Sequence, residues 1–170
     1  VLILNSYNES APWSNSITSP IMHKISELKD IDAYIEHLNL FMVNDSVMVD
    51  RFPQMLLNKY GKTPPKLLVL LGSMSMIFRE EIKEMWGDVS ILVCDSDPYI
   101  YTEEYYRKQD VTTPENKIHV DSLRDDYNIT FMHTPAYLKE SVKLMTRMIP
   151  NIKKLIFWGD GIYPNPEYNK

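Results

Sequence analysis

The chain is poor in the residues that would commit it to several common architectures. A single cysteine in 170 residues, Cys94, rules out an internal disulfide and any multi-cysteine metal centre. That count fits a reducing compartment, and equally a periplasmic domain that needs no cross-link. Glycine is scarce at five residues, no internal repeat or low-complexity tract occurs, and a 44% hydrophobic content suffices for one sizeable core. No apolar run approaches the roughly 18 residues of a membrane span, and no basic segment leads into an apolar stretch with a small-residue cleavage site. Basic residues are outnumbered, 18 Lys and Arg against 23 Asp and Glu, and are dispersed along the chain. The net charge of −5 therefore offers no stripe for a phosphate backbone, and nucleic acid is not expected as a partner. Val1 stands directly in the apolar run VLIL with no Met before it, so a longer natural chain is expected.

What is present is an alternation of short aliphatic runs and amphipathic segments. Between Pro64 and Pro98, the runs Lys66 to Leu71 and Val89 to Cys94 flank one helix-length segment carrying Ile77, Ile82 and Met85. Runs apolar on both faces suit a parallel sheet covered by helices on both sides. Val1 to Leu4 gives a first strand, and Asp32 to Phe41 alternates as a half-exposed edge strand. A helix carrying Ile17, Ile21, Ile25 and Leu28 lies between them, opened or kinked at Pro20. Asn44 can cap a second helix running through Val47, Phe52, Leu56 and Tyr60 to Gly61. Pro98 to Asn116, rich in Tyr and charge, reads as an irregular excursion. Ile129 to Thr134 is a fifth strand, Tyr137 to Ile149 a helix stopped by Pro150, and Lys154 to Trp158 a sixth strand. The expected fold is α/β, a doubly wound open parallel sheet with first-lobe strands ordered 2-1-3-4-5, as in flavodoxin-like folds. Right-handed crossovers and the reversal of winding beside strand one dictate that order.

Each strand ends in small or polar residues, and ligands of open parallel sheets sit at those carboxyl ends. Ser6, Tyr7, Asn8 and Trp13 offer hydroxyls, an amide and an aromatic wall, although Trp13 can equally pack its helix onto the sheet. Gly72, Ser73, Met74 and Ser75 place a glycine and two hydroxyls before a helix, where free N–H groups could hold an anion or simply be capped. Neither a phosphate loop nor a nucleophile elbow is spelled out there. Asp95, Ser96 and Asp97 suit Asx-type turns, or a ligand amine or hydroxyl. His133 and Thr134 end the fifth strand, and no His or Cys at ligand spacing joins them. No nucleophile is paired with a base, so no catalytic residue, metal or cofactor is expected. Cys94, inside an aliphatic strand, reads as an inert buried thiol.

Several segments carry a family resemblance. Asn5 to Ser14 (NSY, four residues, PWS), Lys59 to Ser73 (KYGKTPPKLLVLLGS), Trp86 to Tyr99 (WGDVSILVCDSDPY) and Thr134 to Asp160 resemble periplasmic-binding-protein-like sensor regions of Bacteroides-type hybrid two-component histidine kinases. The resemblance implies a type I periplasmic-binding-protein fold, two lobes gripping a ligand. Residues 1–134 would be the first lobe and residues 135–170 the crossover helix and first strand of a second, with Asp160 at its ligand edge. Two such lobes need roughly 250 to 300 residues. The tail GIYPNPEYNK departs from the family pattern. The implied activity is non-enzymatic sensing of a small molecule, in the periplasm, by the extracytoplasmic part of a membrane-tethered kinase. A homodimer is expected, and Lys154 to Trp158, an apolar strand left without its own sheet, should either make the dimer contact, the favoured outcome, or fold back on the first lobe. The solute-binding protein of a transporter is the alternative within the class, and a flavodoxin-like enzyme or nucleotide-binding domain the alternative outside it.

Overall fold

The computed structural model describes residues 1–42, 46–102, 116–133 and 137–156. Five strands form one parallel sheet: β1 (Leu2–Asn5), β2 (Tyr34–His37), β3 (Leu67–Leu71), β4 (Ser90–Asp95) and β7 (Ile129–His133). Their order is β2-β1-β3-β4-β7, which is the expected 2-1-3-4-5 with the fifth strand labelled β7. The register brings Asn5 level with His37 on one side and Leu71 on the other, Leu71 with Cys94, and Asp95 with His133. The carboxyl ends therefore form one edge, and Ser6, Ser73, Asp95 and His133 all lie on it.

Helices cover both faces. On one, Trp13, Ile17, Ile21 and Met22 of α1 (Pro12–Ser26) pack over Ile3, Val69, Leu71 and Cys94. On the other, Phe52, Leu56 and Tyr60 of α2 (Ser46–Tyr60) and Ile82, Met85 and Trp86 of α3 (Arg79–Trp86) pack over Leu2, Leu4, Leu68, Leu70, Ile91 and Val93. The central strands are thus apolar on both sides because both sides are buried. Each fully buried aliphatic side chain contributes about 1.5–3 kcal/mol of transfer free energy, so these three strands anchor the fold.

Several boundaries differ from the sequence expectation. α1 starts at Pro12, with that proline in the first turn, and runs through Pro20 to Ser26, leaving Leu28 outside and exposed. The second strand is confined to Tyr34–His37, after which Leu40–Met42 form a 3-10 turn. Ile77 belongs to a 3-10 segment, Ser73–Phe78, that leads into α3. The two ends of the Tyr-rich excursion pair as an antiparallel ribbon, β5 (Tyr99–Tyr101) with β6 (Lys117–His119). The proposed cap Asn44 lies outside the described residues. After β7 comes α4 (Leu138–Met148). Lys154 to Ile156 take no strand conformation, and Phe157 and Trp158 lie outside the described residues. No described helix is long and apolar enough to cross a membrane.

Candidate functional site at the carboxyl edge of the sheet

Strand β1 delivers the first part of the edge. Asn5 ends an otherwise apolar strand and is fully buried. Its Oδ1 accepts the Tyr7 N–H at 3.0 Å, while its Nδ2 donates to Ser14 Oγ at 3.1 Å and lies 3.0 Å from His37 Nδ1. One amide thereby ties the Tyr7 loop, the start of α1 and the end of β2 together. Ser6 Oγ donates to the Gly72 carbonyl (3.1 Å), accepts the Ser75 N–H (3.1 Å) and meets Ser75 Oγ at 2.6 Å. Tyr7 and Trp13 pack ring against ring with centroids 5.3 Å apart. Burial, and then the nearby Asp95 carboxylate, push the Tyr7 hydroxyl well above the usual phenol range, so it stays protonated.

Strands β3 and β4 deliver the second part. Gly72 has φ +83°, a conformation that side chains rarely adopt, and an added Cβ would come within 2.9 Å of the Tyr7 ring and 3.2 Å of Ser6. The glycine is there for close approach between two loops. Asp95 is nearly buried; its Oδ2 accepts the Ser73 N–H and its Oδ1 the Ser96 N–H at 2.6 Å. His133, at the end of β7, closes the row, its Nε2–H donating to the Ser96 carbonyl at 2.8 Å.

Of the candidate residues, Ser6, Tyr7, Trp13, Gly72, Ser73, Asp95, Ser96 and His133 are brought into one line of contacts across the edge. Asn8 is exposed, and its Oδ1 caps the Ser10 N–H at 2.9 Å. Asp97 accepts the Tyr99 N–H at 3.2 Å, the Asx-type turn its position suggests. Met74 turns away and packs against the core beneath α2 and α3. Trp13 does both things asked of it, packing α1 onto the sheet and walling the Tyr7 loop. Thr134 and Asp160 lie outside the described residues. Asn5, Ser14 and His37 were missed; the signal for Asn5 and His37 is a polar residue at the last position of two paired strands.

The pattern of satisfied donors restricts the chemistry. The Ser73 and Ser75 N–H groups, which an anion would use, are already taken by Asp95 and Ser6. The loops 5–12, 72–78 and 95–98 carry Glu9, Asp95 and Asp97 and no Lys or Arg. Asp95 is in effect the edge's own built-in anion, and a second negative charge there would meet repulsion. No group of His, Cys, Asp and Glu suited to a metal ion occurs among the described residues. No protein-family model, curated protein or solved structure matches the chain.

Proposed function

We propose that this chain forms the ligand-binding first lobe of a type I periplasmic-binding-protein-like sensor, and that it detects a small polar molecule for a membrane-tethered histidine kinase. The observation that carries the reading is the row of residues from Trp13 and Tyr7 through Ser6, Gly72 and Asp95 to His133. It lies across the strand ends beside the β1/β3 reversal, where open α/β sheets bind ligands. α4 and the residues after it would open a second lobe. A ligand touching both lobes would favour their closed arrangement by the extra contacts made there, and that shift would be the signal. The edge supplies acceptors and an aromatic wall, so the ligand presents hydroxyl or ammonium groups and carries no phosphate or carboxylate at this end.

A thermal-shift panel tests this on the purified chain, with arms of neutral sugars and polyols, primary amines, inorganic phosphate with citrate, and flavin mononucleotide with ATP. The expected result is a rise in Tm from the hydroxyl or amine arms, lost in Tyr7→Ala. A ligand at a hundredfold excess over its Kd stabilises by about 2.7 kcal/mol. Stabilisation by the flavin and nucleotide arm alone would overturn the reading in favour of a flavodoxin-like enzyme.

A further inference from the structure

The Asn5 hydrogen bonds fix the proton on His37. The Tyr7 N–H can only donate, so the atom it meets at 3.0 Å must be the Asn5 carbonyl oxygen. The Ser14 hydroxyl spends its one proton on the Ala11 carbonyl at 3.2 Å, so its oxygen must accept from Asn5 Nδ2. Both constraints place the same Asn5 nitrogen 3.0 Å from His37 Nδ1. For this contact to be a hydrogen bond that ring nitrogen must accept, which requires the ring proton to sit on Nε2.

We propose that Asn5 and His37 form a proton-sensitive latch on the Tyr7 loop. A second proton on the ring would put an N–H against the Asn5 NH2, donor against donor. The Asn5 amide would then lose its third anchor, and the Tyr7 N–H held by its other end would loosen. His37 is exposed, and among the described residues its ring makes no other side-chain hydrogen bond or ion pair. His37 ends an edge strand, with Asn5 its neighbour across β1. The first two turns of α1, Pro12 to Ser19, and the segment Leu38 to Met42 contain no ionisable side chain. The Tyr7 loop contributes Tyr7 and Glu9 as its titratable groups, and no ion pair joins Glu9 to His37 among the described residues. Glu36 is engaged on the opposite face of β2 by Lys59 and Tyr60 of α2. His133 at the other end of the edge behaves differently, since its Nε2–H donates to a carbonyl in either charge state. Acidification thus releases the β1 end of the edge and leaves the β7 end closed. That this gates ligand entry rests on the sensor reading above; the latch itself does not.

Nuclear magnetic resonance of the 15N-labelled chain tests the latch without any ligand, so it can hold or fail independently of the thermal-shift panel. At pH 8 the His37 ring should show an unprotonated Nδ1 and a protonated Nε2. Between pH 8 and pH 5.5, solvent exchange of the Tyr7 amide, corrected for its intrinsic pH dependence, should rise about tenfold, the factor one lost hydrogen bond can supply. His37→Gln keeps an acceptor for Asn5 that does not titrate, and should abolish that rise. Asn5→Asp should invert it, because a carboxylate prefers the protonated ring. A ring protonated on Nδ1 at pH 8, or equal pH responses in the wild type and His37→Gln, would overturn the proposal.

Discussion

Cys94 shows how much one residue's surroundings decide. It lies on the α1 side of β4, fully buried beneath Ile17 and Ile21 together with Ile3, Val69 and Leu71. Burial first, and then the adjacent Asp95 charge, push its thiol up to about 11 from an ordinary value of 9.0. A raised acid favours the folded state while it remains protonated, so its contribution is complete below about pH 9 and disappears as the pH rises to about 11. The tyrosines act in the same direction, with Tyr60 and Tyr127 pushed up to about 12 by burial and by Glu36 and Glu80. We expect the native thiol to be inert to a disulfide reagent at pH 8 and fully reactive in urea. The urea midpoint should fall between pH 9 and 11, and fall less in Cys94→Ala. Rapid labelling of the native protein at pH 8 would contradict this placement.

At the scale of elements, α1 separates what local sequence can and cannot say. Ile17, Ile21 and Ile25 mark a helix, but a proline at position 20 argues for a start or a kink there. The helix instead begins at Pro12, because Trp13 extends the buried stripe by one more turn and Pro12 needs no N–H in the first turn. Pro20 sits on the solvent side, where water can satisfy the carbonyl that the missing N–H leaves open. Replacing it should therefore gain stability: Pro20→Ala is expected to raise the unfolding free energy by about 1–3 kcal/mol, read from urea denaturation. A loss would mean that the proline shapes the fit of α1 on the sheet. The three central strands, β1, β3 and β4, were legible for the opposite reason, since burial on both faces writes itself into sequence as aliphatic runs, whereas the half-exposed edge strand β2 was visible by its alternation. The β5–β6 ribbon was not legible, because strands of three residues paired across a long loop leave no periodicity. At the edge, Asp95, Ser6 and Gly72 were visible as small or polar residues at strand ends. Their partnerships were not, because Ser6 meets Ser75 and Gly72 meets Tyr7 only after β1 and β3 come into register.

For the whole molecule, the question is where the unit packed on the five-stranded sheet ends. Both clusters of buried residues are complete by Phe131: the core beneath α2 and α3 extends from Leu2 to Ile129 with Phe131 packed on it, and the core beneath α1 from Val1 to Cys94. α4 joins neither. Its Leu144, Met145 and Met148 are exposed, Met148 to 73%, and Val142 is half-buried; Ile149 and Ile156 beyond it are exposed, Ile156 also to 73%. Side chains that make no buried contact contribute little to unfolding free energy, however amphipathic their helix is. A chain ending at Ala136 should therefore keep a single cooperative unfolding transition, with the free energy changed by less than about 1 kcal/mol. It should lose only the far-ultraviolet helix signal of the 11 residues of α4. That outcome would place the lobe boundary between β7 and α4, as the two-lobed reading requires, and would leave the α4 stripe for a second lobe to cover. Loss of cooperativity, or a drop of several kcal/mol, would make α4 part of this lobe's own core and remove the structural argument for a second lobe.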